Sequence, residues 1–120
     1  MIETDYLVFE RDQLTDSELQ GFEADGVNVS LIFVDNRPGE GPSLHRHPYH
    51  EIFIVLEGRA TFTAGSATLE AVSGQIVVVR PGVAHKFVNS GAGRLRQIDI
   101  HASPKFITEW LDESGAATGR

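Results

Sequence analysis

The stretch Gly39–Gly58, GEGPSLHRHPYHEIFIVLEG, decides how the chain is read. His45 and His47 stand two apart, so in an extended segment both imidazoles leave one face. Glu51 follows four residues after His47 with the same parity. Two imidazoles and a carboxylate converging from one side suit a first-row divalent metal. The five apolar residues Ile52–Leu56 leave neither face of the next strand polar, so both of its faces call for cover. Phe53 and Val55 share the parity of the ligands and are expected to wall the cavity, whereas Ile52 and Ile54 face a second layer or a second subunit.

Outward from this stretch the chain reads as strand after strand. Val27 to Asp35 alternates and becomes apolar on both faces towards its end, and NRPGEGP (36–42) stops it with turn residues. Arg59 to Ala64 and Ala67 to Val72 form a hairpin around Gly65 and Ser66. Ile76 to Val79, His85 to Asn89 and Arg94 to His101 follow, each bounded by turn signals. Short strands spaced in this way predict an antiparallel sandwich or barrel. Towards the N-terminus, Asp5 to Glu10 reads as a short strand and Arg11 to Asp25 as an irregular arm anchored by Leu14, Leu19 and Phe22. Towards the C-terminus, Phe106, Ile107, Trp110 and Leu111 fall at helical spacing behind Ser103 and Pro104, which predicts a short helix.

At 120 residues without low-complexity runs, the chain is expected to form one domain. Its divisions are an N-terminal strand and arm (1–25), a core (26–102), a helix (103–111) and a frayed tail (112–120). Seventeen acidic against ten basic residues give a charge of −7 with no basic cluster, which argues against nucleic-acid or anionic-membrane partners. The absence of cysteine excludes disulfides and thiolate chemistry. MIETDYLVFE lacks the basic and apolar segments of a signal peptide, and no apolar run approaches the roughly 18 residues of a membrane span. A cytoplasmic protein is expected.

Two spaced motifs resemble the signatures of the cupin superfamily. The first is Gly39, five residues, His45, one residue, His47, three residues, Glu51, six residues and Gly58. After a gap of fifteen residues, Gly74, five residues, Arg80, Pro81, Gly82, two residues, His85, three residues and Asn89 resemble the second. The departure is Arg80 where the family usually has proline, with Pro81 one place on. The resemblance implies an all-β, antiparallel jelly-roll β-barrel, here with a short C-terminal helix. It further implies that His45, His47, Glu51 and His85 hold one divalent transition metal (Fe, Mn, Ni, Cu or Zn) inside it. Phe87, sharing the face of His85, joins Phe53 and Val55 in the expected pocket wall. Without a metal, the histidines would be hydrogen-bonded in a polar interior and Glu51 paired to Arg94 or Arg96; a buried carboxylate beside IFIVL otherwise lacks a counter-charge.

Other polar residues are placed by parity. His50 is opposite to His45 and His47 and points out. Asn89 is expected to satisfy backbone groups at a strand end. Gln97, Asp99 and His101 share one face of the last strand; we read that face as exposed and Ile98 and Ile100 as interior, with a polar pocket lining as the alternative. His101 and Tyr49 are the candidates for catalytic groups. Cupins include dioxygenases, isomerases, cyclases and lyases as well as sensing domains. Two functions follow: a small metal-dependent enzyme acting on an oxygen-rich small molecule, or a non-catalytic binding or sensing module. Sensor cupins usually carry a DNA-binding segment, and no basic helical pair follows Leu111, so the enzyme is favoured. A homodimer formed through the isoleucine face with an exchanged N-terminal strand is also expected.

Overall fold

The computed structural model describes residues 5–119. The outermost parts of the expected N-terminal arm and C-terminal tail, residues 1–4 and 120, lie outside them. The described chain forms ten strands: β1 (Glu18–Leu19), β2 (Ser30–Asn36), β3 (His45–Arg46), β4 (Glu51–Glu57), β5 (Arg59–Ala64), β6 (Ala67–Val72), β7 (Ile76–Val79), β8 (His85–Asn89), β9 (Leu95–His101) and β10 (Glu109–Trp110). They pair antiparallel in two five-stranded sheets, of order β1-β2-β9-β4-β7 and β10-β3-β8-β5-β6.

This corrects the expected closed jelly-roll barrel. Among the described residues no ladder runs from one sheet into the other, so β1 and β7 remain edges of the first sheet and β6 and β10 edges of the second. The sheets are held face to face by side chains. Phe53 from β4 meets Phe62 from β5 and Phe87 from β8, with ring centroids 5.0 and 5.9 Å apart in edge-to-face geometry. Val34, Val55, Ala60, Ala71, Val79 and Leu95 complete this core.

The expected C-terminal helix is also absent. Residues 102–108 are bends and extended chain leading into β10. Their backbone groups are taken by distant partners, not by the i−4 bonds a helix needs. Phe106 N–H donates to Gln20 Oε1, Ile107 N–H to the Tyr49 hydroxyl, and Leu111 N–H to Leu44 O. Phe106, Thr108 and Trp110 consequently alternate with the exposed Lys105, Ile107 and Glu109. Within the described part of the tail, Leu111 bridges Ala117, and the Asp112 carboxylate caps the intervening turn through the N–H groups of Ser114 and Ala116.

The N-terminal strand does not form within the chain. Residues 5–10 carry no sheet pairing, and Tyr6, Leu7, Val8 and Phe9 are all exposed. Of the three expected anchors in the arm, Leu14 and Leu19 are half-buried but Phe22 is 61% exposed. Instead it is the backbone at Gly21 that is inserted there, its N–H donating to the buried Ser30 hydroxyl.

Two motif glycines take up left-handed backbone conformations that favour glycine. Gly58, between β4 and β5, has φ +90°, and a Cβ there would lie 2.3 Å from Arg94 O. Gly82 has φ +79° and donates its N–H to His47 O at 2.7 Å, tying the turn before β8 to the histidine segment. That bond survives the displaced proline at Arg80–Pro81.

Candidate metal centre

β3, β4 and β8 bring the first site together. His45 pairs directly with His85 across β3 and β8, and Glu51 begins β4. All four of His45, His47, Glu51 and His85 are buried, and one ligand atom from each lies within 4.8 Å of the others. Glu51 Oε1 is 3.0 Å from Nε2 of His47 and 3.0 Å from Nε2 of His85. Neither arginine weighed as its partner reaches it: Arg94 pairs with Asp35 and Arg96 with Glu57.

Main-chain carbonyls orient the three imidazoles. His45 Nδ1 lies 2.7 Å from Ser43 O, His47 Nδ1 2.8 Å from Ile107 O, and His85 Nδ1 2.9 Å from Val83 O. A carbonyl only accepts, so each Nδ1 carries its hydrogen and each Nε2 is left to present a lone pair inward. Three nitrogen lone pairs and a carboxylate oxygen around one point repel one another unless a cation, a proton or a metal ion, stands between them. The buried Nε2 of His47 has no hydrogen-bond partner of its own, as expected of a donor atom waiting for a cation. The donor set therefore fits a divalent transition metal, and it supports metal-dependent chemistry.

Electrostatics agree. Burial lowers His45 to about 4, so the ring is neutral and ready to ligate at neutral pH. Burial opposes ionisation of Glu51, but its contacts with His101, His47 and His85, with a proton standing between rings and carboxylate in place of a metal, outweigh it and hold the carboxyl well below the usual carboxylate range. Tyr49 is pushed up by burial to about 12 and remains a phenol.

The Gln97, Asp99 and His101 face is turned the other way from our expectation. All three side chains are buried, and it is Ile98 and Ile100 that sit on the outer, half-exposed surface. The reason is register. His101 lies directly opposite Glu51, Asp99 opposite Phe53 and Gln97 opposite Val55, and the inner face of β4 is already committed by Glu51 to the site. Gln97 Nε2 donates to Asp99 Oδ1 at 2.8 Å. Burial raises the Asp99 carboxyl well above its ordinary range, with the charge of Glu51 adding and the Gln97 amide opposing.

The pocket wall needs a second correction. A cavity of about 670 Å³ opens on the ligands and is lined by Phe87, as expected, but not by Phe53 or Val55. Each step along β4 carries the chain about 3.3 Å away from Glu51, so these two fall in the filled core beneath the site. Its wall instead includes Phe106, Thr108 and Trp110 and the acidic Asp16, Glu18, Asp35 and Asp99. Read at a period of two, Phe106, Thr108 and Trp110 were visible in the sequence; the helical spacing of the same segment hid them. His50 is exposed, and Asn89 closes the end of β8 by donating to Asn36 O and Gly93 O and accepting from Gly91 N–H. Both stand as expected.

The cupin domain family matches residues 32–101, well over half of the chain, and the chain belongs to that family. It is 35% identical over 83 residues to an uncharacterized protein of Streptomyces coelicolor, covering 69% of this chain and 77% of that one. It is 32% identical over 79 residues to the HTH-type transcriptional regulator PuuR of Escherichia coli, covering 65% of this chain but only 43% of the regulator. Among solved structures, the oxalate decarboxylase of Lactobacillus farciminis, as its formate complex, superposes with a TM-score of 0.71 at 22% identity over 78% of this chain and 30% of that one. The last likeness is one of fold. Among the described residues, no helix is long and apolar enough to cross a membrane.

Proposed function

We propose that this cupin is a small metal-dependent enzyme in which His45, His47, Glu51 and His85 hold one divalent transition metal. Its substrate is an uncharged, oxygen-rich small molecule that binds the metal through two oxygens. The observation that carries this reading is the common Nδ1–H tautomer of three buried histidines, whose Nε2 atoms converge with Glu51 at the foot of the cavity. When bound, such a metal polarises a substrate oxygen or activates oxygen, according to its identity. The chain's own residues supply neutral imidazoles, one carboxylate and an enclosure of Phe87, Phe106 and Trp110 that excludes water from a ring or carbon chain.

Charge narrows the substrate. A divalent ion with one carboxylate leaves a net positive charge of about one, which a single enolate or phenolate oxygen neutralises. Besides Glu51, the cavity wall contributes Asp16, Glu18, Asp35 and Asp99 and, among the described residues, no lysine or arginine. A dicarboxylate would bring a second negative charge with no partner to meet it. Phenols, enolisable ketones and sugar derivatives fit better, and with them dioxygenase, isomerase, cyclase or lyase chemistry.

The test has two stages. X-ray fluorescence on protein purified without tag or chelator is expected to show one transition metal per chain, lost in His47→Ala and in His85→Ala. Turnover or oxygen uptake is then measured on catechols, enolisable diketones and sugars against dicarboxylates. Full metal content in either alanine variant would defeat the ligand set. The similarity to a transcriptional regulator favours a second reading, ligand binding without turnover. Saturable binding to a panel member that stays chemically unchanged would establish it.

We also propose a homodimer through the outer face of the first sheet. Two apolar rows cross all four longer strands there, Phe33-Ile98-Ile54-Ile76 and Leu31-Ile100-Ile52-Val78. Ile76 and Val78 are 63% and 56% exposed, and the same chain carries the apolar, unpaired arm Tyr6–Phe9 that a second copy would cover. A sedimentation mass equal to one 13.1 kDa chain at tens of micromolar, a concentration on the order of typical interface affinities, would overturn it.

A further inference from the structure

Hydrogen bonding divides the four buried histidines three to one. His45, His47 and His85 each give their Nδ1–H to a carbonyl. His101 does not: its Nδ1 lies 2.6 Å from the Tyr49 hydroxyl. That hydroxyl already accepts the Ile107 N–H at 3.2 Å, so its own hydrogen is free to point at His101. With Nδ1 accepting, the hydrogen of His101 sits on Nε2, which lies 3.1 Å from Glu51 Oε2, a close polar contact that is not aligned as a hydrogen bond. The opposite tautomer would set a lone pair against a carboxylate oxygen. His101 thus turns an N–H edge towards Glu51 and is not a fourth imidazole ligand, in keeping with its absence from the group whose ligand atoms converge.

The two oxygens of Glu51 are thereby given different work. Oε1 faces His47 and His85, and Oε2 faces His101. We propose that Tyr49 and His101 are positioning residues: the chain Ile107 N–H, Tyr49 O–H, His101 Nε2–H engages Oε2 and restricts Glu51 to one-oxygen ligation through Oε1. This rests on the metal-centre reading above. Its consequence is that Glu51 occupies one coordination position instead of two, which leaves room for a substrate that chelates through two oxygens. The arm of the relay is built into the fold. His101 is opposite Glu51 in the β4–β9 ladder, Tyr49 stacks on His47 at 4.9 Å between centroids, and Phe106 packs on the His101 ring at 4.8 Å. The contact from Ile107 requires the extended chain that replaced the expected helix.

Manganese(II) titration of the full chain, followed by electron paramagnetic resonance, tests this, with wild type, His101→Phe, Tyr49→Phe and His101→Gln compared. Removing a hydrogen-bond partner of a metal ligand typically weakens metal affinity roughly 10–100-fold. A loss in that range is expected for His101→Phe and Tyr49→Phe, together with a changed fine structure of bound manganese as Glu51 swings to bind through both oxygens. His101→Gln, whose amide N–H can reach Oε2, is expected to recover affinity and spectrum towards wild type. A merely structural role would lower the melting temperature and leave the spectrum unchanged. Affinities within about threefold of wild type with unchanged spectra overturn the proposal. If His101→Phe does not fold, Tyr49→Phe, which removes one oxygen, decides. Wild type that binds no manganese while losing no other metal in His47→Ala would instead defeat the metal centre itself.

Discussion

The two faces of strand β9 differ more than any two regions elsewhere in the molecule. One face carries Gln97, Asp99 and His101 and is buried; the other carries Ile98 and Ile100 and is half-exposed. Hydrophobicity alone sorts them the opposite way. What decides the outcome is the neighbour. β4 lies beside β9 with Glu51 on the inner face, and a buried carboxylate is expensive unless donors or cations surround it. His101 brings its ring edge to 3.1 Å from that carboxylate, while the isoleucines join a half-exposed apolar surface. A polar interior face beside an apolar exterior one suits the proposed division of labour, a site on the inside and a dimer contact on the outside.

The largest effect that separates the faces is expected just below the site. Phe53→Ala removes a wholly buried ring that joins the two sheets, and about 3–5 kcal/mol should be lost in denaturant melts. A loss near 1 kcal/mol would mean that the inner face is loosely packed. The next effect is pH dependence of the metal-free protein. Unfolded His45 takes up a proton near 6.5, but folded His45 only near 4, so the unfolded state binds more protons between them. Stability should therefore fall as pH drops from 6.5 to 4 and gain no further loss from this group below that. His45→Asn should remove this component of the slope; identical profiles for both proteins would refute it.

Asp99 pulls in the other direction. Its folded carboxyl holds its proton above the ordinary carboxylate range, so the unfolded state sheds the proton first and stability falls as pH rises past about 3.8. Asp99→Asn keeps the shape and an amide partner for Gln97 without that cost. A gain on the order of 1–2 kcal/mol at neutral pH, shrinking as pH is lowered, is expected from thermal melts. The smallest effect belongs to the outer face. Ile76→Lys should change the folding stability of one chain by no more than about 0.5 kcal/mol, yet abolish the dimer in sedimentation. A large loss of chain stability would show that this face is covered from within.

Much of the site was legible because its spacing is short-range. His45, His47 and Glu51 lie within seven residues and share a strand parity, and a two-residue period needs no knowledge of the fold. Asn89 and His50 were read correctly for the same reason. The readings that failed all depended on distant partners. Phe106 to Leu111 satisfies both a helical and an extended period, and only the acceptors at Gln20 Oε1, Tyr49 and Leu44 O select the second. Phe53 and Val55 have the right parity but the wrong height along β4, and closure of the sheets into a barrel depends on ladders that do not form.

By itself the sequence determined the family, the strand succession and the four residues of the candidate metal centre, because each is written in the order and parity of neighbouring residues. Only the tertiary structure decided which way β9 faces, which aromatic residues enclose the cavity and which histidine stands beside Glu51 without joining the ligand group. Those are settled by what lies across a sheet or at the far end of a hydrogen bond. Glu51 and His101 are 50 positions apart in the chain and 3.1 Å apart in space, and no local pattern encodes that contact.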